Sequence, residues 1–138
     1  MKRRAFLELS GSSILGAMIS PSFSDLLFSD GKLKEIGLQL YTVRDEIEKN
    51  PVATIKKIAD LGYKHVECAG YKNGKFYGLD KKDFKALLDD NGLKMWSGHT
   101  NTGFGKKDIT HSMSNNWEAV CQDAAFMGQK YIGCGYFE

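Results

Sequence analysis

"LGYKHVE" (residues 61–67), "NGLKMWS" (91–97) and "MGQKYIG" (127–133) repeat one pattern: glycine, any residue, lysine, then a short apolar or aromatic stretch. The glycines Gly62, Gly92 and Gly128 stand 30 and 36 residues apart, which suits one strand, one helix and two loops per unit. Glycine just past a helix closes the last turn in the left-handed conformation without steric cost, so each repeat reads as a helix end followed by a strand.

The segments upstream of these glycines carry helical periodicity. "PVATIKKIADLG" places Val52, Ile55, Ile58 and Ala59 on one face, with Pro51 in the first turn, where its missing N–H is harmless. "DKKDFKALLDDNG" does the same with Phe84, Leu87 and Leu88 behind Asp80 as N-cap. "SNNWEAVCQDAAFMG" follows with Trp117, Val120, Cys121, Ala124 and Met127, capped by Ser114 or Asn115. Short strands alternate with these helices: "EIGLQL" from Glu35, "KHVEC" from Lys64, "LKMWS" from Leu93 and "KYIGCG" from Lys130. Strand–helix alternation with connections this long implies parallel neighbours and right-handed crossovers.

Two architectures accept this order, a (β/α)₈ barrel and an open, flavodoxin-like doubly wound sheet. Four strands and three helices make half of a barrel whose usual size is about 250 residues. The expected fold is therefore α/β, the N-terminal half of a (β/α)₈ barrel over residues 31–138, the chain being part of something longer. Strand order separates the two, because a barrel runs sequentially and a doubly wound sheet reverses at a switch point.

The residues before this domain read as an address. "MKRRAFLELSGSSILGAMIS" opens with Lys2, Arg3 and Arg4 and continues into a mildly apolar run too short for the about 20 residues that span a bilayer. It resembles a bacterial export signal, and R-R-A-F-L resembles the twin-arginine type. Residues 1–30 are expected to direct the protein to the periplasm or otherwise out of the cell, with no membrane span.

The 138-residue chain is 42% hydrophobic and 26% charged, which places it among globular domains and excludes disorder. Its net charge of +2 comes from 16 Lys/Arg against 14 Asp/Glu beyond residue 30, a mixed surface without the basic block a nucleic-acid site needs. Cys68, Cys121 and Cys134 are odd in number and lack C-x-x-C spacing, so they read as buried thiols.

Chemistry in α/β folds gathers outside the carboxyl ends of the strands. Gln39, Tyr41 and Arg44 stand there after the first strand, Glu67 and Tyr71 after the second, Ser97 and His99 after the third, and Tyr136 and Glu138 after the fourth. Glu67 suits hydrogen bonding to a substrate hydroxyl or support of a metal ligand, and His99 suits substrate or metal binding. His65 lies two residues deeper and reads as a core histidine, while Cys68 points to the helices. "HTNTGFGKKD" has neither phosphate-loop spacing and reads as a flexible loop over the barrel mouth.

"IGLQLYTVRDEI", "GYKHVECAGY" and "GLKMWSGHT" together resemble the sugar phosphate isomerase/epimerase family, the xylose-isomerase-like barrels, over about residues 36–136. The resemblance implies proton transfer next to a sugar carbonyl, assisted by a divalent metal (Mn, Mg, Zn or Co) that holds the carbonyl and hydroxyl oxygens. It places Glu67 and His99 toward a small carbohydrate substrate, with His99 also a candidate metal ligand; Gln39 and Tyr41, candidates by their place at the end of the first strand, complete the expected substrate-binding set. The catalytic carboxylates and most metal ligands would lie on later strands, leaving this chain inactive and binding metal weakly if at all. A non-catalytic carbohydrate-binding or assembly module is the alternative. The first and fourth strands, as sheet edges, would favour self-association.

Overall fold

In a computed structural model the structure describes residues 35–135. The leader, and with it the export and twin-arginine expectations, lies outside the described residues, as do Tyr136 and Glu138.

Four strands form one parallel sheet: β1 (Gly37–Gln39), β2 (His65–Cys68), β6 (Lys94–His99) and β7 (Tyr131–Gly133). Their spatial order is β1-β2-β6-β7, each pair parallel. Order in space follows order in sequence, as in half of a (β/α)₈ barrel, and the switch point of a doubly wound sheet does not occur among them. One face of the sheet, with Val66, Cys68 and Met95 buried, packs under the helices. The opposite, inner face carries Gln39, Glu67, Ser97 and Tyr131 as a row in register across all four strands.

Among the described residues four helices accompany the sheet, one more than expected: α1 (Arg44–Lys49), α2 (Pro51–Asp60), α3 (Lys81–Asp90) and α4 (Trp117–Met127). In α2, Asn50 caps the helix by accepting from the Ala53 N–H at 3.0 Å, and Pro51 follows in the first turn. Its buried face is Thr54, Ile55 and Ile58, whereas Val52, expected there, is 55% exposed. Helix α3 buries Phe84 and Leu88; Asp80 occupies the cap position but makes no capping bond, its carboxylate lying 3.7 Å from Lys75 instead. Helix α4 buries Val120, Asp123, Ala124 and Met127, leaves Trp117 40% exposed, and is preceded at its cap by Asn116, not Ser114 or Asn115. Gly62, Gly92 and Gly128 all take positive φ (94°, 66° and 79°) just past the three long helices.

Between β2 and α3 lies a three-stranded antiparallel meander that the strand–helix alternation does not predict, β3 (Tyr71–Lys72), β4 (Lys75–Phe76) and β5 (Leu79–Asp80). Its turns are Asn73-Gly74 (φ 52° and 80°) and Tyr77-Gly78 (φ 49° and 81°), paired left-handed residues whose twist matches that of the flanking strands. Phe76 stacks on Phe84 of α3 at 5.6 Å and 1° between planes, so the meander is fastened to the core by fully buried aromatics.

Residues 100–116 are tied down rather than loose. The Asn115 side-chain amide donates to the Ile109 carbonyl at 2.9 Å, and Met113 and Ser114 donate from their backbones to the Asn101 and Thr102 carbonyls. Asn73 joins the meander to this loop, donating to the Asp108 carbonyl and accepting from Thr110 N–H. Such internal satisfaction of backbone groups gives a long loop one conformation.

Candidate functional site

The register of three parallel strands builds the site. Gln39 lies opposite Glu67, and Glu67 opposite Ser97. Side chains so placed on one face are cross-strand neighbours, within reach of one another. Gln39 Nε2 donates to Glu67 Oε1 at 2.5 Å, and Ser97 Oγ donates to Oε2 at 2.6 Å. His99, two residues past Ser97 on the same face, brings Nε2 to 3.1 Å from Glu67 Oε1.

Glu67 is thereby held ionised. The Gln39 amide and then the Ser97 hydroxyl stabilise its charged form and His99 adds to them, outweighing partial burial, so its pKa lies below the ordinary glutamate value. A carboxylate offers about four lone-pair directions, and three donors already converge on this one.

Ser97 reaches the row through a β-bulge. Val66 pairs with Met95 but Glu67 pairs with Ser97, leaving Trp96 as an extra residue in β6. Trp96 turns to the same inner face one layer lower, where its ring lies 4.0 Å from that of His65. His65 is the core histidine expected there: it is buried, its Nε2 lies 2.6 Å from Glu35 Oε2, and its Nδ1 has no partner among the described residues.

Above the row opens a cleft of about 500 Å³ bordered by Gln39, Tyr41, Tyr71, His99, Asn101 and Gly135. Tyr41 stands at its rim, 57% exposed, with the Arg44 guanidinium 4.9 Å from its ring centre. The structure thus brings Gln39, Glu67 and His99 into direct contact and sets Tyr41 beside them. Sequence position pointed to Ser97 and Tyr71 as strand-end residues, but not to the hydrogen bond from Ser97 or to Asn101 and Gly135. The bulge that aims Ser97 has no signature in the residue pattern.

The thiols differ from one another. Cys68 is fully buried, and burial pushes it up to about 12; Cys121 and Cys134 are half-buried, not buried as expected. Among the described residues no three His, Cys, Asp or Glu side chains converge to hold a metal ion. His99 and Glu67 supply two donors where a metal centre needs about four, so these residues do not by themselves fit the expected ion.

A crystal structure of a sugar phosphate isomerase/epimerase from Parabacteroides distasonis is 34% identical to this chain and superposes with a TM-score of 0.59. The chain resembles the sugar phosphate isomerase/epimerase family in sequence and in fold. The match covers 72% of this chain and 40% of that one. A second sugar phosphate isomerase/epimerase structure from the same organism, 24% identical with a TM-score of 0.58 over 75% of this chain and 39% of its own, shares the fold. The chain thus spans about 40% of the length of these isomerase/epimerase structures. No protein-family model matches it, and no curated protein does. Among the described residues no helix is long and apolar enough to cross a membrane.

Proposed function

We propose that this chain serves as the first four strands of a sugar or sugar phosphate isomerase/epimerase, and that its cleft receives a small carbohydrate. The observation that carries the reading is the Gln39–Glu67–Ser97–His99 cluster, seated at the carboxyl ends of three barrel strands beside a cleft wide enough for a sugar. Within it Gln39 and Ser97 keep Glu67 charged and fixed, and Glu67 orients His99. Tyr41 offers an aromatic surface for the apolar face of a sugar ring. A divalent metal, if used, would need ligands beyond the two this chain contributes, so no step is assigned through it; the catalytic carboxylates likewise would come from other strands.

The same cluster and cleft, able to hold a sugar without a catalytic carboxylate, also suit a second reading, a carbohydrate-binding module without turnover. The two separate in one experiment. Aldose and ketose phosphates are incubated in D₂O with Mn²⁺ and the protein expressed from its whole reading frame, and deuterium at the carbon beside the carbonyl is followed by NMR. Exchange that disappears in Glu67→Ala and His99→Ala supports the isomerase/epimerase reading. Saturable binding without exchange supports the module, and neither binding nor exchange overturns both.

Two further parts belong to the proposal. The opening Lys2-Arg3-Arg4 and the apolar run after it support export. Strands β1 and β7, each paired on one side only among the described residues, support self-association.

A further inference from the structure

The fourth strand ends at Gly133 and the chain runs on through Cys134 to Gly135, and neither glycine takes a positive φ. Backbone freedom therefore does not explain them, but contact with His99 does. A Cβ at 133 would lie 3.2 Å from His99 Cδ2, and a Cβ at 135 would lie 3.0 Å from Nδ1 and 3.3 Å from Cε1. Optimal separations between such atoms are about 3.5–4.0 Å, so a side chain at either place would press on the imidazole. The ring fits between Glu67 on one side and two bare α-carbons on the other.

The same contacts bear on which nitrogen of a neutral imidazole carries the proton. Glu67 receives Gln39 on one oxygen and Ser97 on the other, an arrangement that suits a carboxylate, and a carboxylate only accepts. Its contact with His99 Nε2 at 3.1 Å is then an N–H donation. In a neutral imidazole a proton on Nε2 leaves the lone pair on Nδ1. Nδ1 is the ring atom nearest the place a Cβ would take on residue 135, and Gly135 borders the cleft together with His99.

We propose that His99 is held as its Nε2–H tautomer with the Nδ1 lone pair directed to the cleft as acceptor for a sugar hydroxyl, and that Gly133 and Gly135 are positioning residues that leave room for it. The hydroxyl rests on the carbohydrate reading above; the tautomer and the glycine seat do not.

Proton–nitrogen correlation NMR on the [¹⁵N]histidine-labelled full chain tests both parts. The spectrum is taken at about pH 8, above the ordinary imidazole titration, with His65 and His111 assigned by substitution. His99 should show its proton on Nε2, Glu67→Ala should release it to a mixture of tautomers, and an added sugar phosphate should move Nδ1 more than Nε2. Gly135→Ala should displace the His99 signals and weaken sugar binding at least about tenfold. In the double variant Gly135→Ala/His99→Ala the glycine change should add nothing to the loss caused by His99→Ala alone, in affinity or in thermal midpoint; this also covers a single variant that folds poorly. A proton on Nδ1 in the unaltered protein, an unchanged His99 spectrum in Gly135→Ala, or additive losses in the double variant would overturn the proposal. If tautomer and seat hold but no sugar or sugar phosphate moves Nδ1, the hydroxyl assignment and the carbohydrate reading fall together, and the orientation of His99 stands.

Discussion

The Tyr77 ring covers Gly70 so closely that a Cβ on residue 70 would lie 2.3 Å from the nearest ring carbon. Tyr77 is anchored there by its hydroxyl, which accepts from the Ala69 N–H at 3.0 Å, and by its own N–H, which donates to the Gly70 carbonyl at 2.9 Å. The segment after β2 is thus clamped between backbone and ring. Gly70→Ala should cost about 1–3 kcal/mol, the usual range for forcing extra volume into a packed site, read as a lower urea midpoint at unchanged slope.

Asn73 performs two tasks, taking a left-handed turn conformation and bridging the meander to residues 108 and 110. Asn73→Ala removes both hydrogen bonds and places a less tolerant residue at positive φ, with an expected loss of about 2 kcal/mol. Hydrogen exchange should speed up first within residues 100–116. Uniform acceleration across the sheet would show that the bridge is not local.

Glu35 is held below the ordinary glutamate value of 4.5, chiefly by its hydrogen bond with His65. A carboxyl with a depressed folded pKa adds stability above the unfolded value, and that contribution disappears as pH falls through the folded pKa. Acid unfolding profiles should therefore part below about pH 4.5, with Glu35→Gln flatter than the unaltered protein there and offset from it by a constant amount above. Because Glu35 is well exposed, salt should shrink the difference.

Cys68 is both fully buried and shifted up to about 12, so it has neither access nor thiolate at neutral pH. Its alkylation should be limited by opening of the fold and follow the rate of unfolding in denaturant. Mass spectrometry locating fast native-state modification at Cys68 would contradict the packing of β2 against the helices.

Tyr131 is 70% exposed on the inner face of β7, an edge strand among the described residues. Self-association through this edge should appear as a concentration-dependent sedimentation coefficient, and Tyr131→Lys should weaken it by placing a charge where a neighbouring strand would pair. Equal association of that variant would move the contact elsewhere.

Much of the fold was legible because it rests on periodicities that side chains cannot disguise. The helical spacing of Ile55 and Ile58, of Phe84 and Leu88, and of Val120, Ala124 and Met127 recurs in the buried faces, and the three glycines after those helices take the left-handed conformation their positions imply. What escaped was local chemistry within short spans. Asn73-Gly74 between Tyr71 and Phe76 is a strong hairpin signal, yet strands of two residues fall below the length at which alternation can be counted. Val52 and Trp117 match a helical face by spacing but sit in first turns, where both stay exposed. At the site, strand ends located Gln39, Glu67 and His99, since parallel strands in sequential order bring their carboxyl ends together. The Ser97 bond depended on a one-residue offset between strands, which no single strand's sequence encodes.

That offset at Trp96 has a consequence for how such a barrel can vary. Met95 faces the helices and Ser97 the interior, and both would keep those faces in a regular strand from which Trp96 is missing, since its removal leaves their alternation in phase. Trp96 therefore adds an aromatic shelf over His65, and the bulge that takes up the extra residue keeps Ser97 and His99 aimed at the cleft. A gain or loss of one residue at this point changes the floor of the interior and spares the rim, so the two layers are free to diverge separately among chains that share the scaffold.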